Sequence, residues 1–314
     1  GLSGNNDGFT GKITVRKDAS LSAKAESLPV NHPVNGNVGN IDLTNGGTLI
    51  FEQDDNGSYQ GQIIGDGSVI KTGSGIVALR PDAGANTYSG VTTIDGGGLA
   101  ISSQDALGTN SDLTINNGSL TAEADLTIDK RINLASAEAN KTAVIDTNGH
   151  NVTAAGVLNG VVDSGTFIKI GSGTLMVSDN SQLGDTHYNR QVIFTDKQQE
   201  SVMEITSDVD TRSDAAGHGR DIEMRADGEV AVDAGVDTQW GALMADSSGQ
   251  HQDEGSTLTK TGAGTLELTA SGTTQSAVRV EEGTLKGDVA DILPYASSLW
   301  VGDGATFVTG ADQD

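Results

Sequence analysis

Apolar residues in this chain recur in short i, i+2 pairs and almost never at helical spacing. Ile41 and Leu43, Val77 and Leu79, Leu113 and Ile115, Leu175 and Val177, Val230 and Val232, and Leu266 and Leu268 are examples. This spacing puts both side chains of a pair on one face of a strand. Between the pairs sit Gly, Asn, Asp and Ser, the residues turns use for positive φ and for side-chain caps. A chain of many short strands folds as a sandwich, a barrel or a solenoid. One short helical turn is expected over 290–295, stopped by Pro294.

Internal repetition favours the solenoid. A string Lys-Thr/Ile-Gly-Ser/Ala-Gly occurs at Lys71–Gly75, Lys169–Gly173 and Lys260–Gly264, each time between an apolar pair and an alternating strand. The strings lie 98 and 91 residues apart, too far for one supersecondary unit, so several smaller units separate them. A closing Gly recurs at roughly 18–25 residues, as a β-helix requires. The predicted fold is all-β, a parallel β-helix with loop excursions. Its rungs stack at about 4.8 Å, with Val, Ile, Leu and Ala inward and Thr, Ser, Asn and Asp outward. At about 22 residues per rung the chain makes roughly 13–14 rungs and a rod on the order of 60–70 Å. Three stretches follow: regular rungs over 1–183, rungs with longer loops or an insertion over 184–252, and a C-terminal region of the same helix over 253–314. Longer loops are expected near Gly184–Arg190 and Asp208–Arg220. The glycines of the strings serve the tight bend into the next strand. No helix follows them to offer an N-terminus to a phosphate.

Composition narrows function. The formal charge is −25, from 18 basic and 43 acidic residues. Such a chain repels phosphate backbones and anionic lipid, so neither nucleic acid nor a membrane surface is an expected partner. No apolar run is long enough for a spanning helix. With no Cys there are no disulfides, thiolate metal sites or Cys nucleophiles. The N-terminus, Gly1-Leu2-Ser3-Gly4-Asn5, has no signal-peptide character and reads as the interior of a longer chain.

The segment from Lys71 to Gly108 resembles the passenger-associated repeat of bacterial autotransporters. The resemblance rests on Lys71, Gly73, Gly75, Asn86, Tyr88, Gly90, Thr93, Leu99, Ala106, Leu107 and Gly108. The other two copies match its first half. Residues 253–314 resemble the C-terminal end of an AIDA-type passenger, including the segment called the autochaperone. The resemblance implies a right-handed parallel β-helix displayed on a Gram-negative cell. It implies a signal peptide before this segment and, after it, a translocating outer-membrane barrel that tethers it. It also implies an adhesin, a self-association factor or a biofilm factor. Leu258, Leu266, Leu268, Val278, Val280 and Leu285 are the expected core of the autochaperone-like region.

No enzyme signature stands out. Asp163-Ser164-Gly165 has no second copy with which to form a carboxylate dyad and reads as a turn. Metalloprotease, nucleophile-elbow and P-loop strings are absent. The five His are scattered among turn residues. The acidic run Glu52–Gly57 lacks EF-hand spacing. No catalytic residue, cofactor or metal site is therefore assigned. The expected partner is a second copy on a neighbouring cell, with weak contacts summed by avidity. The alternative is a host glycan or matrix protein met by Tyr188, Arg190, Asp208, Asp210, Asp214, Arg220 and Trp240. A polysaccharide-acting enzyme is a third reading resting on fold analogy alone.

Overall fold

The computed structural model describes residues 4, 6, 9, 11–30, 41–82, 84–110, 112–135, 142–156, 158–161, 166–183, 191–194, 201–211, 220–245, 255–287, 289–293, 295–296 and 298–310. These form 31 strands and three short 3-10 turns, with no α-helix among the described residues. All named strand pairs are parallel. Successive strands visit three faces in turn, which makes a parallel β-helix. The first face holds a seven-stranded sheet between Ser20–Ala23 and Leu158–Val161 and a four-stranded sheet from Asp237–Trp240 to Thr306–Thr309. The second face is one nine-stranded sheet from Gly57–Tyr59 to Leu243–Met244. The third holds a three-stranded sheet from Ile13–Thr14 to Ile63–Gly65 and an eight-stranded sheet from Leu126–Ile128 to Ser298–Val301.

Coil length varies more than the expected 22 residues. It falls to 19 where Asp112 stacks on Arg131, and rises to 30 where Gln191 stacks on Asp221. About twelve coils result, a rod of roughly 55 Å at the strand spacing. The long coils include those through 191–258, where the sequence loosens. Strands nonetheless continue the second and third faces through that stretch.

Inward positions stack into apolar columns. On the second face Val77, Leu99, Leu120, Ile145, Lys169, Phe194 and Met224 lie in one register. On the third, Val152, Leu175, Met203, Val230, Lys260 and Val280 do the same. On the first, Lys71 stands between Phe51 and Ile94. Each column thus contains one lysine, and all three lysines are fully buried.

Those lysines are the ones in the three repeated strings, and each string turns a different corner. Lys71 ends Ser68–Thr72 on the first face and leads to Ile76–Leu79 on the second. Lys169 links Thr166–Ile170 on the second face to Thr174–Val177 on the third. Lys260 links Thr257–Thr261 on the third to Thr265–Leu268 on the first. At a corner the carbonyls leave the ladder and need donors. Lys71 Nζ donates to the carbonyls of Thr72 at 2.6 Å, Gly73 at 2.9 Å, Gln53 at 3.2 Å and Gly96 at 3.3 Å. Lys169 Nζ reaches the Gly171 and Gly173 carbonyls at 2.5 and 2.6 Å and Thr147 Oγ1 at 2.9 Å. Lys260 Nζ holds Thr261, Gly262 and Glu282 at 2.6, 2.7 and 3.1 Å. The first glycine of each string is left-handed, with φ of 79° at Gly73, 84° at Gly171 and 70° at Gly262. The second is required by space. A Cβ on Gly75, Gly173 or Gly264 would lie 1.9–2.3 Å from a carbonyl oxygen of the neighbouring coil.

Where the third face lacks a strand, an asparagine replaces it. Asn86 Oδ1 accepts from the Ile63 amide at 2.9 Å, and its Nδ2 donates to the Ala106 carbonyl at 2.7 Å. This joins Ile63–Gly65 to the 3-10 turn Gln104–Leu107. Ser103 caps that turn by accepting from the Asp105 amide. The turn, with those at Ala25–Ser27 and Asn180–Leu183, is too short to leave a helical period in sequence. Conversely, the helical turn expected over 290–295 is not helix. Asp291 takes φ 56° and Ile292 is drawn fully into the core; Pro294 lies outside the described residues.

Burial pulls Lys71 and Lys260 down to about 8 from the usual value. Replacing Lys71 or Lys260 by Met should cost about 2 kcal/mol or more in urea unfolding, since it leaves buried carbonyls without their donor. Lys17→Met, at an exposed position, should be nearly neutral. Between about pH 8 and 10.5 the unfolded chain binds more protons at these two sites than the folded one. The deficit of Lys71→Met relative to wild type should therefore widen as pH rises through that window.

Candidate functional site

The outer surface is a set of ladders that mix polar and aliphatic side chains. On the first face Ser22, Ile50, Ile70, Thr93, Thr114 and Asn133 stand in one register, all half-buried. Their period-two alternation with the buried column fixes which way they point. Several cations on the surface are held locally. Arg80 makes two bonds to Glu123, at 2.8 and 2.5 Å, and Arg131 two to Asp112, at 2.8 and 2.9 Å. Lys12 pairs with Asp42, Arg279 with Glu281 and Lys286 with Glu267. With the buried lysines committed to carbonyls, the excess of carboxylates sets the field around the rod.

The residues expected to meet a host partner separate. Tyr188, Arg190 and Asp214 lie outside the described residues. Asp208 and Asp210 are exposed at a corner. Asp208 accepts from the Asp237 amide at 2.8 Å, and Asp210 bridges Gln239 of the next coil. Trp240 is fully buried, its indole N–H donating to Thr238 Oγ1 at 2.8 Å. Arg220 is also fully buried, its amide donating to Thr211 Oγ1 at 3.0 Å and its guanidinium reaching Asn180 at 3.4 Å. Neither side chain presents a surface to a ligand. Arg220 ties its coil to Asn180 of another and Trp240 fills the core, roles that single residues in a loop-like stretch do not announce.

The acidic run at 52–57 is corner material. Gln53 is buried, accepting from the Ala25 amide at 2.9 Å, and Asn56 accepts from the Ile76 amide at 2.9 Å. Among the described residues, no three His, Asp or Glu side chains converge as a metal site would require. His150 stands 3.7 Å from Asp125; the other four His, Asp163, Ser164 and Gly165 lie outside the described residues.

Leu258, Leu266, Leu268, Val278, Val280 and Leu285 are each completely buried in one continuous core. The last described strands differ. Ser298–Val301 and Thr306–Thr309 leave Leu299, Trp300, Val301 and Val308 exposed, with Arg279 stacked 4.7 Å from the Trp300 ring.

Two of the three Lys-Gly corners coincide with a known repeat. The model of the passenger-associated-transport-repeat family matches residues 69–101 and 258–286. Those two segments are similar to passenger-associated-transport repeats. The Lys169 corner lies outside both matches, yet has the same architecture. The chain is 99% identical over 146 residues to the probable autotransporter YfaL of Escherichia coli K12, across 46% of this chain and 12% of that protein. It is 34% identical over 194 residues to the adhesin BmaC autotransporter of Brucella suis biovar 1, across 58% of this chain and 5% of that protein. It is 30% identical over 106 residues to the uncharacterized lipoprotein YdeK of Escherichia coli K12, across 34% of this chain and 7% of that one. No solved structure matches it. The chain thus spans 12% or less of the length of these relatives. Repeats and relatives together support an autotransporter passenger segment.

Within the second match, Leu266→Asp should lower stability by more than about 4 kcal/mol, because the carboxylate enters a sealed column. Leu266→Met should cost under about 1.5 kcal/mol. Urea melts followed by circular dichroism read both. An unchanged midpoint for Leu266→Asp would refute the role of this column.

Proposed function

We propose that this chain is part of the cell-surface passenger of an AIDA-type autotransporter adhesin, tethered to the outer membrane through a barrel beyond it. Copies on neighbouring cells pair side by side without catalysis, drawing cells into aggregates and biofilm. The observation that carries this reading is the outward ladder on the first face. Ser22, Ile50, Ile70, Thr93, Thr114 and Asn133 present one outward position at each of six successive coils. A repeated motif of hydroxyls, an amide and methyl groups suits a second copy of itself. Each contact is weak, and many rods per cell add up. Similarity to a protein named an adhesin supports the class of activity.

The charge of −25 on each copy opposes association. Salt screens that repulsion over about 8 Å at physiological strength. Sedimentation velocity from micromolar to near-millimolar chain should therefore show reversible growth in mass, greater at high salt than at low. Thr93→Glu with Thr114→Glu should raise the concentration needed by about tenfold, since like charges then face each other across the contact. A monomer at every concentration and both salts, or association strongest without salt, would overturn the proposal. Against the alternative host partner at 184–252, the same experiment is decisive in the other direction. Asp208 and Asp210 are the exposed members of that set among the described residues.

A further inference from the structure

The outward ladder on the first face is not uniform, for its aliphatic members lie together. Ile50 and Ile70 are neighbours on successive coils, and Val91, just ahead of Thr92–Ile94, stands one coil on and one row over. All three are half-buried. Ser22 precedes this patch along the rod and Thr93 follows it.

The adjoining outward row carries charge. Lys24 continues the extended backbone of Ser20–Ala23, so the register of that strand sets it beside Glu52. Glu52 pairs with Thr72. Thr72 leads on to Asp95, whose amide donates to the Lys71 carbonyl at 2.8 Å. Lys24, Glu52 and Asp95 are exposed. Lys24 reaches Asp55 at 3.4 Å, with side chains 51% and 85% in solvent, and a pair so exposed adds little to the fold. Asp95 meets the Asn116 amide at 3.4 Å. Along the rod the row therefore reads cation, carboxylate, hydroxyl, carboxylate.

We propose that the contact between copies centres on Ile50 and Ile70, and that its register is set by Lys24 of each copy against Asp95 of the other. This rests on the self-association put forward above and adds where on the first face it occurs. Two identical faces pair about a two-fold axis. If that axis runs along the rod, each coil meets itself and the flanking rows exchange. Lys24 then faces Ser20 and Asp95 faces Val91, so charges lose water without gaining a partner. If the axis runs along the strands, each row meets itself in reverse order. Placed between Ile50 and Ile70, it sets Ile50 on Ile70, Ser22 on Thr93, Glu52 on Thr72 and Lys24 on Asp95, each twice by symmetry. Moved to the middle of the ladder, the same axis would set Ile50 on Thr114 and Ile70 on Thr93, methyl groups against hydroxyls, with Asp95 on Thr72. Of these arrangements, one joins the aliphatic patches and pairs opposite charges together. Complementary charge fixes register and rejects wrong pairings more than it adds affinity. Four strands from each copy make a small, weak contact, as avidity requires.

Sedimentation velocity of the full 314-residue chain at physiological salt, with charge reversals, tests this. Both side chains are exposed, so neither reversal should move the melting temperature. Lys24→Asp should raise the concentration needed for association about tenfold. Asp95→Lys should do the same although it makes the rod less acidic, the opposite of what net charge alone would bring. An equal mixture of the two single variants should associate as the wild type does, because each supplies the charge the other has lost. The double variant, with the wild-type net charge, should do so too. Ile70→Thr should weaken association about tenfold. Wild-type association left unchanged by either reversal or by Ile70→Thr would overturn this register. So would failure of the mixture or of the double variant to recover. In those cases self-association itself stands, whereas a wild-type chain that stays monomeric overturns both readings.

Discussion

Each coil of this rod must turn three corners, and corner carbonyls are the groups the parallel ladder cannot satisfy. A buried ammonium on three or four carbonyl or hydroxyl oxygens solves this at Lys71, Lys169 and Lys260. Lys130 does the same for Gly108 and Asn110 at 2.9 and 2.5 Å. A cation in an apolar column is tolerated only when surrounded in this way. The long stem of lysine lets one residue stack inward with its column and still reach the corner. The packing of the columns and the close approach of neighbouring coils follow from corners this tight.

The outer surface follows from the inner one. With inward positions committed to Val, Ile, Leu and occasional Lys, alternation leaves every second position facing outward. There the rod carries Ser, Thr, Asn and excess carboxylate. Such a surface offers many equal weak contacts rather than one deep site, which is what avidity uses. Small residues at four successive coils of the second face, Ser58, Ala78, Ala100 and Thr121, leave only a shallow, open depression between taller neighbours.

Much of this was legible in the chain. The i, i+2 pairs, the turn residues and the repeated strings sufficed for an all-β solenoid, because a period of two leaves little else to fold into. Two of the strings agree with the family repeat, and the core residues at 258–285 were readable from the same alternation. Trp240 and Arg220 were not. An aromatic and a cation in a loose, polar stretch look like a binding surface, and only the stacking of a wide coil on its neighbours shows them sealed inside. The 3-10 turns were invisible for a related reason, since three or four residues carry no period.

The sequence by itself determined the strand period, the corner glycines and the sign of the surface charge, because each is a local property of residue type. Tertiary structure alone decided which columns the three lysines enter and which corner each string turns, because the lengths of the intervening coils set the phase. It also decided that Asn86 stands in for a missing strand, and that Ser58, Ala78, Ala100 and Thr121, roughly 20 residues apart in the chain, share one outward ladder. Register between coils is a property of stacking, and no local pattern encodes it.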